Sequence, residues 1–151
     1  MRICADEHVS PRILRAVHEI ALPRSCTLCS VRELQLGGSE DEYWIERFAS
    51  DGGAGILSGD RRMLKRERVV TAIRQTSLVA IFLPSDWAGA KRHFQAAHIL
   101  FWWPKLQTAY ETAPRGSIWV VPRDFGNHAL NEHIVKPSKA DRARARISEP
   151  A

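Results

Sequence analysis

No apolar run in this 151-residue chain approaches the ~20 residues a membrane-spanning helix needs, which excludes a helical membrane protein. Cysteine is scarce and odd in number. Three residues cannot form a disulfide framework, and they point to a reducing, cytoplasmic compartment. Acids already stand at positions 6 and 7, so no secretory signal is expected at the N-terminus. No internal repeat and no second domain are legible. The reading is one domain over residues 1–135 and a polar, basic, disordered tail over 136–151 that lacks apolar residues to bury.

What is there is ordinary in bulk and uneven in charge. Hydrophobic content of 44% and charged content of 26% are those of a soluble globular chain long enough to bury a core. The net charge of +5 favours an anionic partner. The excess gathers in Arg61, Arg62, Lys65, Arg66 and Arg68, and again in Lys136, Lys139, Arg142, Arg144 and Arg146.

Periodicity alternates between strand and helix. Residues 2–5 read as a short buried strand, and Ser10–Pro11 as an N-cap followed by proline at the first helical position. Ile13, Leu14, Val17, Ile20 and Ala21 then recur at helical spacing up to Pro23. A second strand is expected over 26–34, then a Gly37–Gly38 turn and an S-x-x-E capping box from Ser39 to Glu42. A helix carrying Trp44, Ile45 and Phe48 should close at Gly52–Gly53, before a third strand over 54–58. Beyond the basic loop come a helix with Val69, Val70 and Ile73 and the continuous apolar strand 78–83. The stretch 87–110 is expected to be mostly helical, with Phe94, Ala97, His98, Phe101 and Trp102 on its apolar side and a kink or break at Pro104. A last strand covers 117–121. The alternation implies a three-layer α/β/α domain around a mostly parallel sheet of about five strands.

Acids sit where these strands end or helices begin. Asp6 and Glu7 follow the first strand, Asp41 and Glu42 open the second helix, and Asp60 follows the third strand. In an open parallel sheet those positions gather at the carboxyl edge, where ligands bind. Three carboxylates meeting there, within about 8 Å of one another, would suit a hard cation such as Mg²⁺. Each has a bland alternative, since acids in a first helical turn also stabilise the helix dipole. Asp6 and Glu7 are the hardest to explain that way.

Other motifs weigh less. Cys26 and Cys29 form C-x-x-C, but residues three apart on a strand face opposite ways, so chelation is not expected. His93 with His98, and His128 with His133, are spaced by five rather than the four a helical zinc pair uses. Trp102–Trp103 reads as core or interface before it reads as a base-stacking platform.

Residues 1–12 (MRICADEHVSPR), 39–45 (SEDEYWI) and 56–62 (ILSGDRR) resemble, in order and spacing, the acidic motifs of PIN-like domains related to VapC-type toxins. The strand ending at Pro84, the tryptophan-containing helix and the segment 118–122 extend the likeness over roughly residues 1–122. The resemblance implies a Mg²⁺- or Mn²⁺-dependent ribonuclease, the toxin of a toxin–antitoxin pair. It gives Asp6, Asp41 and Asp60 as metal ligands, with Glu7 and Glu42 as assisting catalytic acids. Arg61, Arg62 and Lys65 would hold RNA phosphates. The implied partners are an RNA substrate and an antitoxin protein, with a homodimer left open. Relatives often carry a further acid where this chain has Arg62, so one metal is expected rather than two. The alternatives are a non-catalytic module that binds RNA or protein, and a phospho-accepting receiver domain. The receiver would need a lysine ending its fifth strand. Lys136–Pro137 supplies one only after a stretch too polar for a central strand.

Overall fold

Residues 1–137, 139–148 and 150 are described by a computed structural model. Five apolar segments form parallel strands: β1 (Arg2–Ala5), β2 (Thr27–Ser30), β3 (Gly55–Ser58), β4 (Val79–Phe82) and β5 (Ile118–Val120). A two-residue strand, β6 (Asn131–Glu132), adds antiparallel to β5 and gives the order β2-β1-β3-β4-β5-β6. The sheet thus has one strand more than the sequence pattern implies. Asn131 and Glu132 are too polar for a central strand but suit an exposed edge.

Helices α1 (Pro11–Ala21), α2 (Asp41–Ser50), α3 (Glu67–Gln75), α4 (Arg92–Thr112) and α5 (Lys139–Ser148) complete the chain. Strand alternation divides the core in two. Ile3, Leu57, Val79 and Ile81 face α1 and α4 through Leu14, Val17, Ile99 and Leu106. Cys4, Ile56, Ala80 and Phe82 face α2 and α3 through Trp44, Ile45, Phe48, Val69 and Ile73. Every residue of β3 and β4 is buried, as two covered faces require. The three-layer α/β/α arrangement follows. The first crossover leads from β1 outward to β2, and the second returns to β3 on the other side of β1. The direction of winding therefore reverses between β1 and β3, and a crevice opens at their carboxyl ends.

Helix termini follow local chemistry. The Ser10 hydroxyl accepts from Arg12 N at 3.3 Å, and Pro11 opens α1. At the end of α2, Gly52 N donates to Ala49 O and Gly53 N to Phe48 O, with Gly52 at φ +88°, a Schellman stop. The expected capping box does not form. Glu40 takes the N-cap position of α2 without a side-chain bond, and the Ser39 hydroxyl donates to Leu36 O instead.

Three boundaries differ from those expected. β2 stops at Ser30 rather than running to residue 34. The Ser30 hydroxyl accepts from Arg32 N and Glu33 accepts from Ser30 N, so local bonds compete with extension. Trp87–Gly89 is a separate 3-10 turn, and α4 begins at Arg92. Pro104 then lies inside α4 without ending it. The lost hydrogen bond and ring clash cost about 3 kcal/mol. Trp102, Trp103, Leu106 and Tyr110, all buried around the proline, contribute roughly 1.5–3 kcal/mol each and offset that cost. The apolar side of α4 is also rotated from the expected one. Phe94, Ala97 and Phe101 are exposed, whereas Gln95, His98, Ile99 and Trp102 are buried.

Trp102 and Trp103 belong to the core and offer no platform. Cys26 precedes β2, and the register neighbour of Cys29 is Cys4, so the C-x-x-C pair is not brought together as a chelate. His98 is fully buried, with Nε2 2.8 Å from Pro122 O, and burial pushes its pKa below the usual value. Where a disordered tail was expected, α5 is a helix with no buried residue. Ser138, Glu149 and Ala151 of that tail lie outside the described residues.

Two stability measurements check this packing. A methyl group on Gly55 would lie 2.2 Å from the Tyr110 ring, whose hydroxyl donates to Ile56 O at 2.9 Å. Gly55→Ala is therefore expected to lower stability by about 1–3 kcal/mol in urea unfolding, as overpacking does. Truncation after Val135 removes α5 and, among the described residues, no buried side chain, and should leave the thermal midpoint nearly unchanged.

Candidate active site

The crevice between β1 and β3 is built around Asp6. Its backbone N–H extends the pairing to Leu57 O at 3.1 Å, which places its side chain immediately past the strand end. The carboxylate is 3% exposed. It accepts from His8 N at 3.0 Å, from Gly59 N at 3.3 Å and from the Ser58 hydroxyl. Burial raises its pKa above the ordinary carboxylate value, and these hydrogen bonds only partly counter it. Ser58 also accepts from Asp60 N at 3.0 Å, so one hydroxyl stands between the two acidic segments.

Asp60 caps the 3-10 turn Arg61–Lys65. It accepts from Arg62 N at 3.0 Å and pairs with Arg62 Nε at 2.9 Å. His8 Nε2 lies 3.5 Å from its other oxygen. Burial acts to raise the Asp60 pKa, but the hydrogen bonds and charge of Arg62 outweigh it and hold the carboxyl below its usual range. Asp41, the first residue of α2, accepts from Trp44 Nε1 at 2.9 Å and forms an ion pair with Arg66. Glu7 accepts from Gly38 N at 2.9 Å, tying the end of β1 to the glycine turn before α2.

Asp6, Glu7, His8, Asp41 and Asp60 line one cleft of about 60 Å³, together with Val31, Ser39, Trp44 and Met63. Four of the five acids named from the sequence are brought together there. Glu42 is not, because it lies one helical step past Asp41, outside the lining. Arg61, Arg62 and Lys65 are exposed on the 3-10 turn that follows Asp60. Sequence reasoning missed His8, Ser58 and the ion pair of Arg66 with Asp41. His8 and Ser58 stand two residues from the acids they touch, which is the one local signal for them. Nothing in the sequence pairs positions 41 and 66.

The donor set is oxygen-rich, as a hard divalent cation requires. Among the described residues, however, no three His, Cys, Asp or Glu side chains are placed to hold a metal ion. Asp60 and Asp41 are instead each engaged by an arginine. The chemistry of the donors fits a cation, and the arginines hold the places a cation would neutralise.

A family model described as a PIN like domain matches residues 1–85, more than half of the chain and all of the acidic cleft. No curated protein and no solved structure matches the chain.

The raised pKa of Asp6 has a measurable sign. A carboxyl whose folded pKa lies above its ordinary 3.8 contributes stability below that value, and loses it as pH rises through the folded pKa. Asp6→Asn stays neutral throughout. It is expected to match or exceed the parent protein in urea midpoint at pH 7 and to flatten the decline as pH rises above the ordinary 3.8. A loss of roughly 0.5–2 kcal/mol at pH 7 would instead make Asp6 a structural cap.

Proposed function

The chain belongs to the PIN-like domain family, and from that membership we propose that it is a Mg²⁺-dependent ribonuclease, the toxin of a toxin–antitoxin pair. The observation that carries the nuclease reading is the cleft itself. Carboxylates from β1, α2 and the segment after β3 line it, at the point where the sheet reverses direction. Packing does not require acids there.

Asp6, Asp41 and Asp60 would hold the divalent cation, whose contribution is to activate water and stabilise charge on the phosphoryl oxygens. The chain's own residues do the rest. Ser58 and Gly59 fix the Asp6 carboxylate with hydrogen bonds, so its orientation does not depend on solvent. Trp44 fixes Asp41 in the same way. The exposed Arg61 and Lys65 offer cations to the flanking phosphates, which position RNA without reading sequence. Lys65 also borders a larger groove of about 810 Å³ whose lining includes Arg74, Lys136 and Arg144 beside Glu67 and Asp141. The toxin assignment rests on the resemblance of the acidic motifs. The same basic surface suits an acidic antitoxin segment.

A second reading, a PIN-like module that binds RNA or protein without cutting, is favoured by one observation. The arginines already neutralise two of the three carboxylates.

A single-stranded RNA incubated with pure protein decides between them. Cleavage should require Mg²⁺ or Mn²⁺ and stop with EDTA. Asp6→Asn and Asp41→Asn should each lose more than the ~10–100-fold that an outer-shell metal partner is worth. RNA bound but intact in Mg²⁺ would establish the non-catalytic reading.

A further inference from the structure

We propose that Arg62 and Arg66 are exchangeable counter-cations of the acidic cleft: when RNA arrives they leave Asp60 and Asp41 for two phosphates, and a divalent cation takes the carboxylates. The inference rests on the ribonuclease reading and adds to it a coupling between metal and RNA.

Both arginines come from one short segment. Asp60 caps the 3-10 turn Arg61–Lys65 through Arg62 N, and Arg66 is the residue that ends the turn. The turn thus folds two guanidiniums back over two carboxylates on different elements. The carboxylates are the sheltered partners, at 13% side-chain exposure for Asp60 and 25% for Asp41. The arginines are the exposed ones, at 78% for Arg62 and 47% for Arg66. Each guanidinium can therefore swing outward while its carboxylate stays in place. The exposed guanidiniums are hydrated and screened by salt, which limits what each pair contributes and leaves it open to exchange.

Charge accounts for the direction of the exchange. Two guanidiniums carry the charge of one divalent cation, so replacing them with the cation leaves the cleft neutralised to the same degree. Two arginines are then free for phosphates, which they bind through paired N–H bonds better than lysine does. Without RNA, the arginines compete with the cation. With RNA, that competition is removed. Metal and RNA should accordingly strengthen each other's binding, by the same factor in both directions.

The test measures two affinities on the full chain and its variants. Mn²⁺ binding is followed by the electron paramagnetic resonance signal of free Mn²⁺. Binding of a labelled single-stranded RNA is followed by fluorescence anisotropy in EDTA. For Arg62→Gln/Arg66→Gln, Mn²⁺ should bind more tightly without RNA, by about five- to a hundredfold, the usual range of coupling between sites. RNA should bind more weakly, with the salt dependence reduced by about 0.7 for each lost phosphate contact. Saturating RNA should tighten Mn²⁺ binding to the parent protein and leave that of the double variant unchanged. Arg66→Lys keeps the charge and the fold, and should fall between the two. Arg68→Gln, which removes one positive charge from α3, should leave Mn²⁺ affinity as it is. Unchanged or weaker Mn²⁺ binding by both arginine variants, with the parent protein binding normally, would overturn the exchange and leave the ribonuclease reading standing. Mn²⁺ binding to none of the proteins would overturn both.

Discussion

A buried carboxylate joins the ends of β1 and β3, and the architecture of the cleft depends on it. Asp6 takes hydrogen bonds from Ser58, Gly59 and His8, which belong to both strand ends. Each bond replaces water that burial has removed, yet the charged form remains disfavoured. A residue held this way makes a poor source of stability and a rigid place from which to aim an oxygen. The same hydroxyl that grips Asp6 orients the backbone of Asp60. The first and third strand ends therefore share one polar joint, and the turn bearing Arg62 and Arg66 starts from it.

Much of this was legible in sequence because period and punctuation agreed. The five parallel strands and α1 follow from short apolar runs, the Ser10–Pro11 start and the Gly52–Gly53 stop. Where the pattern misled, a local bond or a tertiary contact had intervened. Ser30 and Glu33 end β2 with side-chain hydrogen bonds that no apolar count detects. Pro104 stays helical because the side chains around it are buried, a fact that depends on β-strands far away in sequence. The rotated face of α4 has a similar origin. With Phe94 and Phe101 each packed on Phe125 at the surface, aromatic content on a helix no longer marks its inner side.

The candidate site was legible to the extent that topology decides it. Strand ends in a parallel sheet must share an edge, so Asp6 and Asp60 could be paired from sequence alone, and Asp41 followed from opening the next helix. Glu42 failed by one residue, since successive helical positions are about 100° apart and only one can face the crevice. Charge pairing was the part that remained hidden. Arg62 and Arg66 look in sequence like members of a solvated basic run, and only the fold of a five-residue turn distinguishes them from Arg61 and Lys65.

The two margins of the sheet carry one more consequence. On one side β6 offers two residues, and on the other β2 offers four before the chain turns at residues 31–35. Both margins are short, which leaves a neighbouring molecule few free backbone groups to pair with. Growth by strand addition is thereby disfavoured at both ends. The half-exposed rings of Phe94, Phe101 and Phe125, clustered through Phe125, are then the larger apolar feature that this surface presents beside those edges.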